Sequence, residues 1–555
     1  MLVVLLALVP YLSSLGFGFL PEWDDGPFVT ANPRIALTPA NLSFAFTSNL
    51  QSVYTPLTTV SLMVDHACWG DNPVGYHAVN LLFFGGCALL LFLIMRRLHI
   101  PLWSSLLLTL LWSWNPAKCE SICWISERKG LASGFFAFAA FYLFLNEVRR
   151  GRWGWRSALL TPIAVLFKPW ALPLPGVMLV TSLVLRRRNL RVALRAALPS
   201  LLTGIAAATM VTLTTFRELG SHQRLPVAEA LINLFRYLGD SLFPLSLNPI
   251  QPRPAPAQLL WLLLPGILIA GLALWITFRG RLPRRISFGF LLAYLGTSLP
   301  VLTSGAFTNA VYADRYNFIL SAIFWCWIGA AALPEARLDS GRRRLAVVAA
   351  ALLLGGYFVV TLNYQWTFSD SRRLFTRAIS GSPVPVPKAM EGLALTGVNR
   401  RDPEIIFEAA QTFLSLPEKR PPLEAAACVS TGSLLEMVAV TMLYPDQGGS
   451  MLAARLLADR NEILYSPEIF LPFAFNTAVA ARLSAGKQDE AVALLNKQLQ
   501  NQVGDECTLA FASGLAGYLS GDIERARREW QRAAELRPDD ERIRKNLEIT
   551  GVTLP

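Results

Sequence analysis

The sequence has few charged residues for its length. Only 16% of its 555 residues are Asp, Glu, Lys or Arg, whereas 53% are hydrophobic. The hydrophobic residues fall in runs of about 20, the length that crosses the apolar interior of a bilayer. This pattern excludes an ordinary soluble protein and predicts a polytopic membrane protein.

The sequence also lacks the signatures of several enzyme classes. It has no phosphate-cradling glycine loop, no zinc-protease motif and no nucleophile elbow. The seven cysteines are odd in number and no pair has metal-site spacing, so we interpret them as packed thiols. Asp65, His66 and His77 have no third ligand at a readable spacing, which favours structural histidines. We predict no dedicated metal site and leave open a divalent metal as cofactor.

Apolar runs recur up to residue 362 and predict about eleven membrane spans. The first run has no basic segment and no convincing small-residue cleavage site, so we interpret it as a retained anchor. The fifth and sixth runs are short and split by Lys168-Pro169, so they form either one broken pair or two tilted spans. The runs lie at residues 1–20, 77–95, 101–115, 131–146, 157–167, 171–185, 193–215, 257–278, 286–302, 317–333 and 345–362.

Arginine-rich loops define the predicted orientation. With a cytoplasmic N-terminus, every connection from an even to an odd span is Arg-rich, as the positive-inside rule requires. Everything after Asn363 then lies outside. The same loops account for much of the formal net charge of +12, so we predict no nucleic-acid partner. The clusters are Arg96-Arg97; Arg149-Arg150, Arg152 and Arg156; Arg186-Arg187-Arg188, Arg191 and Arg195; Arg279, Arg281, Arg284 and Arg285; and Arg337 with Arg342-Arg343-Arg344.

The composition of the chain changes after the last apolar run. Residues 1–362 predict an all-α transmembrane bundle whose first outer loop, residues 21–75, is unusually long. Residues 363–555 contain no further run and predict an extracytoplasmic α-helical domain.

Two similar segments near the end suggest an internal repeat. Residues 480–491 and 516–526 are 35 residues apart, with Gly486 and Gly521 at corresponding turns. This spacing resembles the tetratricopeptide repeat, a helix pair with a period of about 34 residues. It predicts paired antiparallel helices from about residue 473 to 549, with a generic helical bundle as the alternative.

Two adjacent carboxylates, Asp24 and Asp25, directly follow the first predicted span. A charge at the edge of the hydrocarbon is costly unless it faces water or a partner, so ionisable residues there are functional candidates. A carboxylate near the lipid headgroups can act as a base toward a substrate hydroxyl. The alternative is a solvated pair that caps a short helix. We favour Asp24 weakly, because spacing does not separate the two.

The second outer loop, residues 115–129, carries further charges. If it is helical, Glu120, Trp124 and Glu127 share one face. Arg128 and Lys129 add cations that suit an anionic lipid phosphate. Interfacial anchoring with Glu–Arg pairing is the alternative.

Two more candidates lie near later spans. Lys168 interrupts an apolar run, and a lysine at that depth must snorkel, pair with an acid or meet a ligand phosphate. Asp314, Arg315 and Tyr316 precede the tenth span, where either Asp314 pairs with Arg315 or Arg315 contacts a phosphate.

Ordered segments along the membrane region carry a family resemblance. They are Asp24-Asp25 through Asn32-Pro33; Tyr54-Thr55-Pro56-Leu57-Thr58; Gly75-Tyr76-His77 with Asn80-Leu81-Leu82; Asn115-Pro116 through Glu120-Ser121 to Ser126-Glu127-Arg128-Lys129; Phe167-Lys168-Pro169; Arg236-Tyr237-Leu238-Gly239 to Phe243-Pro244; and Asp314-Arg315-Tyr316. Together they resemble the multi-spanning GT-C glycosyltransferases with C-terminal tetratricopeptide repeats. This group includes bacterial membrane proteins and the animal O-mannosyltransferases with transmembrane segments and such repeats.

The resemblance implies sugar transfer at the outer face of a bacterial inner membrane. The donor would be a polyprenyl-phosphate sugar, its tail among the spans and membrane lipids, and the acceptor a hydroxyl of a protein or glycan. Asp24 or Asp25 would be the general base, and the anomeric configuration would invert. Arg128, Lys168 and Arg315 would stabilise the leaving phosphate. The other predicted substrate-binding residues are Glu120, Glu127, Lys129, Asp314, Tyr316 and His77.

The chain departs from the family pattern at several positions. Gly130 stands where Asp is frequent, and Thr55, Phe84 and Asn115 stand where His is common. These departures weaken the case for a metal and leave open a changed substrate or a weakened activity. A non-catalytic scaffold whose repeats recruit envelope proteins is an alternative function, and a lipid-linked-sugar flippase or polymerase is another. Charges at the outer membrane edge argue against a scaffold, and the paired Asp residues favour transfer.

Overall fold

The computed structural model describes most of the chain. The described residues are 1–50, 54–186, 189–216, 227–251, 256–279, 282–302, 312–332, 340–382, 386–400, 402–414, 479, 483, 488–500, 506–537 and 541–550. They group into two compact units, Met1–Val386 and Pro387–Pro555. Within these ranges the regular structure is helical and no β-strand occurs, which confirms the predicted all-α class.

The first unit contains the long apolar helices and the short segments between them. In chain order, its helices are α1 (Leu2–Leu8), α2 (Pro21–Thr30), α3 (Pro39–Thr47), α4 (Pro56–Trp69), α5 (Pro73–Arg97), α6 (Leu102–Trp114), α7 (Cys119–Cys123), α8 (Arg128–Arg149), α9 (Trp155–Phe167), α10 (Leu174–Leu185), α11 (Leu190–Phe216), α12 (Val227–Asp240), α13 (Pro256–Arg279), α14 (Arg284–Leu302), α15 (Asn317–Ala332), α16 (Ser340–Tyr364) and α17 (Ser371–Ser380).

Six helices in the described ranges are long and apolar enough to cross a membrane. A seventh span is possible if the bent pair Leu2–Gly16 and Pro21–Thr30 is counted as one. These features make the chain a multi-pass membrane protein. Each remaining predicted run forms a shorter helix, so the count of eleven stays a prediction. The six are Pro73–Arg97, Ile125–Arg149, Leu190–Thr214, Gln258–Arg279, Arg284–Leu302 and Arg344–Phe368.

A sharp bend ends the first apolar segment. Helix α1 passes into tighter 3-10 turns at Val9–Gly16, and α2 begins at Pro21 at an angle of 88° to that segment. Helix α2 has wide turns and a break at Trp23. A Cβ at Gly26 would lie 2.2 Å from the carbonyl oxygen of Pro21, so this turn requires glycine. The bend brings the two acidic residues toward the second loop.

The second loop is a series of short turns. A 3-10 turn at Pro116–Lys118 leads into α7, and another at Ile125–Glu127 leads into α8. Between them Trp124 is extended, with φ −101° and ψ 119°. The expectation that Glu120, Trp124 and Glu127 share one helical face is therefore wrong, because the extended residue breaks the helical period.

The second unit contains α18 (Pro387–Arg400), α19 (Pro403–Leu414), α20 (Gln488–Gln500), α21 (Glu506–Leu519), α22 (Ile523–Leu536) and α23 (Glu541–Ile549). Gly521 joins α21 to α22 in the left-handed region, at φ 81°. Trp530 is buried between these helices, where a Cβ at Gly514 would lie 2.4 Å from its ring. Gly521 thus occupies the predicted turn, whereas Gly486 lies outside the described residues. The assignment to tetratricopeptide repeats stays a prediction, as does the domain boundary at residues 362/363.

Candidate active site

Asp25 joins the start of α2 to the second loop. Its carboxylate accepts hydrogen bonds from the backbone N–H groups of Leu20 and Ser126, both at 2.9 Å, and from the Ser126 hydroxyl. The side chain is fully buried. Burial raises the pKa of Asp25 to about 6, although the hydrogen bonds from Ser126 and Leu20 oppose this rise. With its oxygens engaged in this way, Asp25 fixes the backbone of the bend.

Asp24 projects into a different environment. The backbone break at Trp23 precedes it, and its Oδ2 lies 2.8 Å from the Lys129 ammonium. About a third of the Asp24 side chain is exposed (33%), compared with 11% for Lys129. The ammonium also lies 4.7 Å from the centroid of the Phe28 ring. Of the two adjacent acids, Asp24 is the one that solvent or a substrate can reach.

Two buried glutamates bind the other predicted cations. Glu120 accepts a 2.8 Å hydrogen bond from the backbone N–H of Arg315 and pairs with its guanidinium. Glu127 pairs with the Lys168 ammonium and lies 3.8 Å from Nε of Arg315. Arg315 therefore bridges both glutamates instead of pairing with its neighbour Asp314. We name the six residues of these ion pairs the edge network: Asp24, Glu120, Glu127, Lys129, Lys168 and Arg315.

Gly130 gives Glu127 the space that it occupies. A Cβ at this position would lie 2.2 Å from the Glu127 carboxylate and 3.5 Å from the Lys168 ammonium. Any side chain here would displace the Glu127 carboxylate. Gly130, one of the departures from the family pattern, therefore leaves the space that the Glu127–Lys168 pair needs in this chain.

Aromatic rings form the walls around the edge network. Trp124 has the Lys129 ammonium at 5.2 Å and the Arg315 guanidinium at 5.3 Å from its ring. The Lys168 ammonium lies 3.8 Å from the ring centroid of Trp170, which packs edge-on against Tyr316 at 3.9 Å. Cations over ring faces are stabilised by about 0.5–2 kcal/mol. The rings also exclude water, which strengthens each charge interaction.

Besides Asp25 and Tyr316, three more predicted residues lie outside the edge network. Arg128 is fully buried and binds Asp65 at 2.6 Å, the backbone carbonyl of Tyr76 at 2.8 Å and the Asn80 side chain. His77 is buried with its ring against Phe17. Asp314 accepts a hydrogen bond from the Tyr364 hydroxyl at 3.3 Å, and burial raises its pKa. Arg128 is therefore held by protein groups in a cluster of its own.

Sequence reasoning missed a cluster that supports the backbone before Arg315. The Tyr312 hydroxyl donates to Asp240, and the Arg236 guanidinium lies 3.7 Å from the Tyr312 ring centroid. Tyr237 stacks on the same ring at 4.4 Å. Burial raises the pKa of Asp240 to about 6. The sequence signal for this cluster was Asp240, a carboxylate at the end of an amphipathic helix. That signal alone does not identify Tyr312, its partner 72 residues away.

Within the described ranges, no three His, Cys, Asp or Glu side chains are grouped so as to hold a metal ion. The carboxylates of the edge network are each engaged with Lys or Arg side chains.

Comparisons with known proteins give two curated relatives. The chain is 29% identical over 170 residues to the protein O-mannosyl-transferase Tmtc1 of Drosophila melanogaster, a match that covers 29% of this chain and 19% of that protein. It is 24% identical over 159 residues to the protein O-mannosyl-transferase F38B6.6 of Caenorhabditis elegans, a match that covers 26% of this chain and 23% of that protein. The chain thus spans about a fifth of the length of each relative. No family model and no solved structure matches it. Part of the chain is therefore similar to part of two O-mannosyltransferases.

Proposed function

We propose that the chain is a membrane glycosyltransferase that moves a hexose, with mannose the first candidate, from a polyprenyl phosphate to an acceptor hydroxyl. The observation that carries this proposal is the edge network, in which one partly exposed carboxylate lies among three cations at the end of a membrane helix. The similarity to two O-mannosyltransferases supports the same reaction class.

Asp24 is the proposed general base. It takes the proton of the acceptor hydroxyl as that oxygen attacks the anomeric carbon, and the bond from that carbon to the phosphate oxygen breaks. Attack from the face opposite the leaving phosphate inverts the configuration. Its contact with Lys129 stabilises the ionised carboxylate, which is the form that accepts a proton.

Lys129, Lys168 and Arg315 are the proposed phosphate-binding residues. Charge develops on the phosphate as the sugar leaves, and cations held in a site poor in water stabilise that charge most effectively. The glutamates hold Lys168 and Arg315 in place, and the aromatic rings limit their movement. Fixed cations have little reorganisation to undergo during the reaction.

We also propose where the edge network faces, the fold type and the role of the C-terminal helices. The network faces the outer side of a bacterial inner membrane, the fold is of the GT-C type, and the C-terminal helices form tetratricopeptide-like repeats that select a protein or glycan acceptor. The Arg-rich loops support this orientation, and the 35-residue offset supports the repeats.

The direct test is mannose transfer from a radiolabelled polyprenyl-phosphate mannose to a Ser/Thr-rich peptide by purified full-length protein in detergent. Detergent removes the two sides of the membrane, so a flippase gives no product in this assay. The parent should transfer mannose, and Asp24→Asn should lose about a hundredfold to ten-thousandfold in rate. Asp71→Asn is the matched control, because its side chain lies in the same outer loop and is 88% exposed. If Asp24→Asn transfers mannose at the parental rate, Asp24 is not the base. If neither the parent nor any variant transfers mannose, the result favours the scaffold alternative.

A further inference from the structure

A separate cavity lies below the edge network, among the apolar helices. It has a volume of about 280 Å³ and lies between α5, α8, α10, α14 and α15. Its walls are largely apolar, with Leu91, Phe141, Val184, Ala293 and Cys326 from these five helices. We name it the apolar groove. A space lined in this way excludes water and accepts a hydrocarbon chain.

Three helix ends meet at one end of the apolar groove, and each carries an arginine. Arg97 is the last residue of α5, Arg149 is the last residue of α8, and Arg186 follows α10. Arg149 donates to the Arg97 carbonyl, and Arg186 donates to the carbonyls of Arg149 and, at 2.9 Å, Val148. Arg149 itself lines the groove. The guanidinium groups of Arg149 and Arg186 therefore cap helix ends, whereas that of Arg97 donates to the Tyr142 hydroxyl of α8 at 3.2 Å.

These arginines form a net positive site. Each helix C-terminus contributes about −0.5 charge, so three ends offset about half of the three positive charges. Among the described residues, none of the three arginines makes a salt bridge to a carboxylate. The nearby Glu147 accepts hydrogen bonds from the Arg156 N–H at 2.9 Å and the Ser157 hydroxyl at 2.8 Å. This end of the groove therefore carries a net positive charge that suits an anionic ligand.

We infer that the apolar groove binds an anionic glycerophospholipid, with an acyl chain among the helices and the phosphate at Arg97, Arg149 and Arg186. One ligand with both a chain and a phosphate satisfies the two halves of the site. Basic pockets between membrane helices are a general recognition device for anionic headgroups. The opposite end of the lining is Trp170, under Lys168 of the edge network, so a polyprenyl chain entering from that end is the competing occupant.

This lipid has a role distinct from that of the sugar donor. Its phosphate lies at the Arg-rich helix ends, which the sequence places on the side opposite the edge network. A chain in the groove fills space between α14 and the pair α8 and α10, and α8 begins directly after Glu127 and carries Lys129 in its first turn. The lipid therefore stabilises the packing of the helix that positions Lys129 of the proposed donor site.

The experiment measures lipid binding by purified full-length protein with native mass spectrometry. The probes are phosphatidylglycerol and phosphatidylcholine with the same acyl chains. We expect tighter binding of phosphatidylglycerol. Each arginine near a membrane surface contributes about a fivefold change in affinity, so Arg149→Gln should weaken that binding about fivefold and the triple Arg→Gln variant about a hundredfold. Arg149→Lys keeps the charge and should bind within about twofold of the parent.

Two more variants separate the apolar groove from the arginines. Ala293→Phe fills the groove and should weaken phosphatidylglycerol binding with all arginines intact, whereas Arg344→Gln changes an exposed arginine elsewhere and should have no effect. If the triple variant fails to fold, the comparison of Arg149→Gln with Arg149→Lys remains decisive. Equal affinity for the two phospholipids overturns the inference. So does a result in which Ala293→Phe weakens polyprenyl-phosphate binding alone and Arg149→Gln changes nothing. Lipid binding is read without any transfer reaction, so failure here leaves the proposed function standing.

Discussion

Separate substitutions of Asp24 and Asp25 should have opposite effects on stability and activity. Asp25 accepts three hydrogen bonds through its two oxygens, whereas asparagine offers only one oxygen. Asp25→Asn therefore leaves the N–H of Leu20 or of Ser126 facing an amide NH2 group. A buried donor without its acceptor costs about 1–3 kcal/mol, and the free energy of unfolding should fall by that amount.

Asp24→Asn removes an ion pair with Lys129 in which the Asp24 side chain is one-third exposed. The Lys129 ammonium keeps a nearby negative charge, because Glu127 remains close to it. Loss of such a pair costs below about 1 kcal/mol. Transfer should nevertheless fall by about a hundredfold to ten-thousandfold, because the proposed base is gone. Asp25→Asn should keep much more activity per folded molecule.

The assay combines thermal unfolding in detergent with mannose transfer normalised to the amount of folded protein. The double Asn variant should combine the lower stability of one change with the lower rate of the other, since the two side chains contact different residues. The opposite result would be normal transfer by Asp24→Asn, with slow transfer and an unchanged melting temperature for Asp25→Asn. That result would assign the base to Asp25 and refute the distinction drawn from burial.

Other perturbations test the surroundings of the edge network. Gly130→Ala should lower both transfer and stability, because overpacking against Glu127 costs about 1–3 kcal/mol while the gain in helix propensity is only about 1 kcal/mol. A variant that melts and transfers mannose like the parent contradicts the packing argument. Lys168→Met should destabilise the fold by about 3–5 kcal/mol because it leaves Glu127 buried with a weaker partner, and a second change, Glu127→Gln, should restore part of the melting temperature but no activity. The pKa of Asp25 is raised to about 6, so the folded chain keeps a proton that the unfolded chain has released between about pH 4 and pH 6. Stability should therefore fall as pH rises through that window, and Asp25→Asn should lack this fall when unfolding is followed from pH 4 to pH 7.

The apolar runs predicted the helices well. Each of the eleven runs lies in or overlaps a helix of the first unit, because apolar composition alone forces a membrane segment to satisfy its backbone internally. The number that fully cross the membrane does not follow, since helices such as Leu102–Trp114 are short of the 20 residues that a span needs.

The partners of the charged residues were harder to predict. Arg128 and Lys129 are adjacent in sequence, yet one is bound to Asp65 and the other to Asp24. Successive side chains on a helix point about 100° apart, so neighbours enter different environments. The pairing of Glu120 and Glu127 with Arg315 joins residues nearly 200 positions apart, which a single sequence does not reveal. The sequence identified the acids and bases but left their pairing to tertiary structure.

The edge network contains three acids and three bases, so its formal charge is zero before any ligand arrives. A phosphate that enters brings negative charge into a site whose cations already have counterions. Ligand binding and proton uptake are then linked quantities: one carboxyl that gains a proton restores neutrality and frees a cation for the phosphate. Burial raises the pKa of Glu120, which makes it the natural recipient of that proton. Affinity for an anionic ligand should consequently rise toward acidic pH, and the heat of binding should depend on the ionisation enthalpy of the buffer.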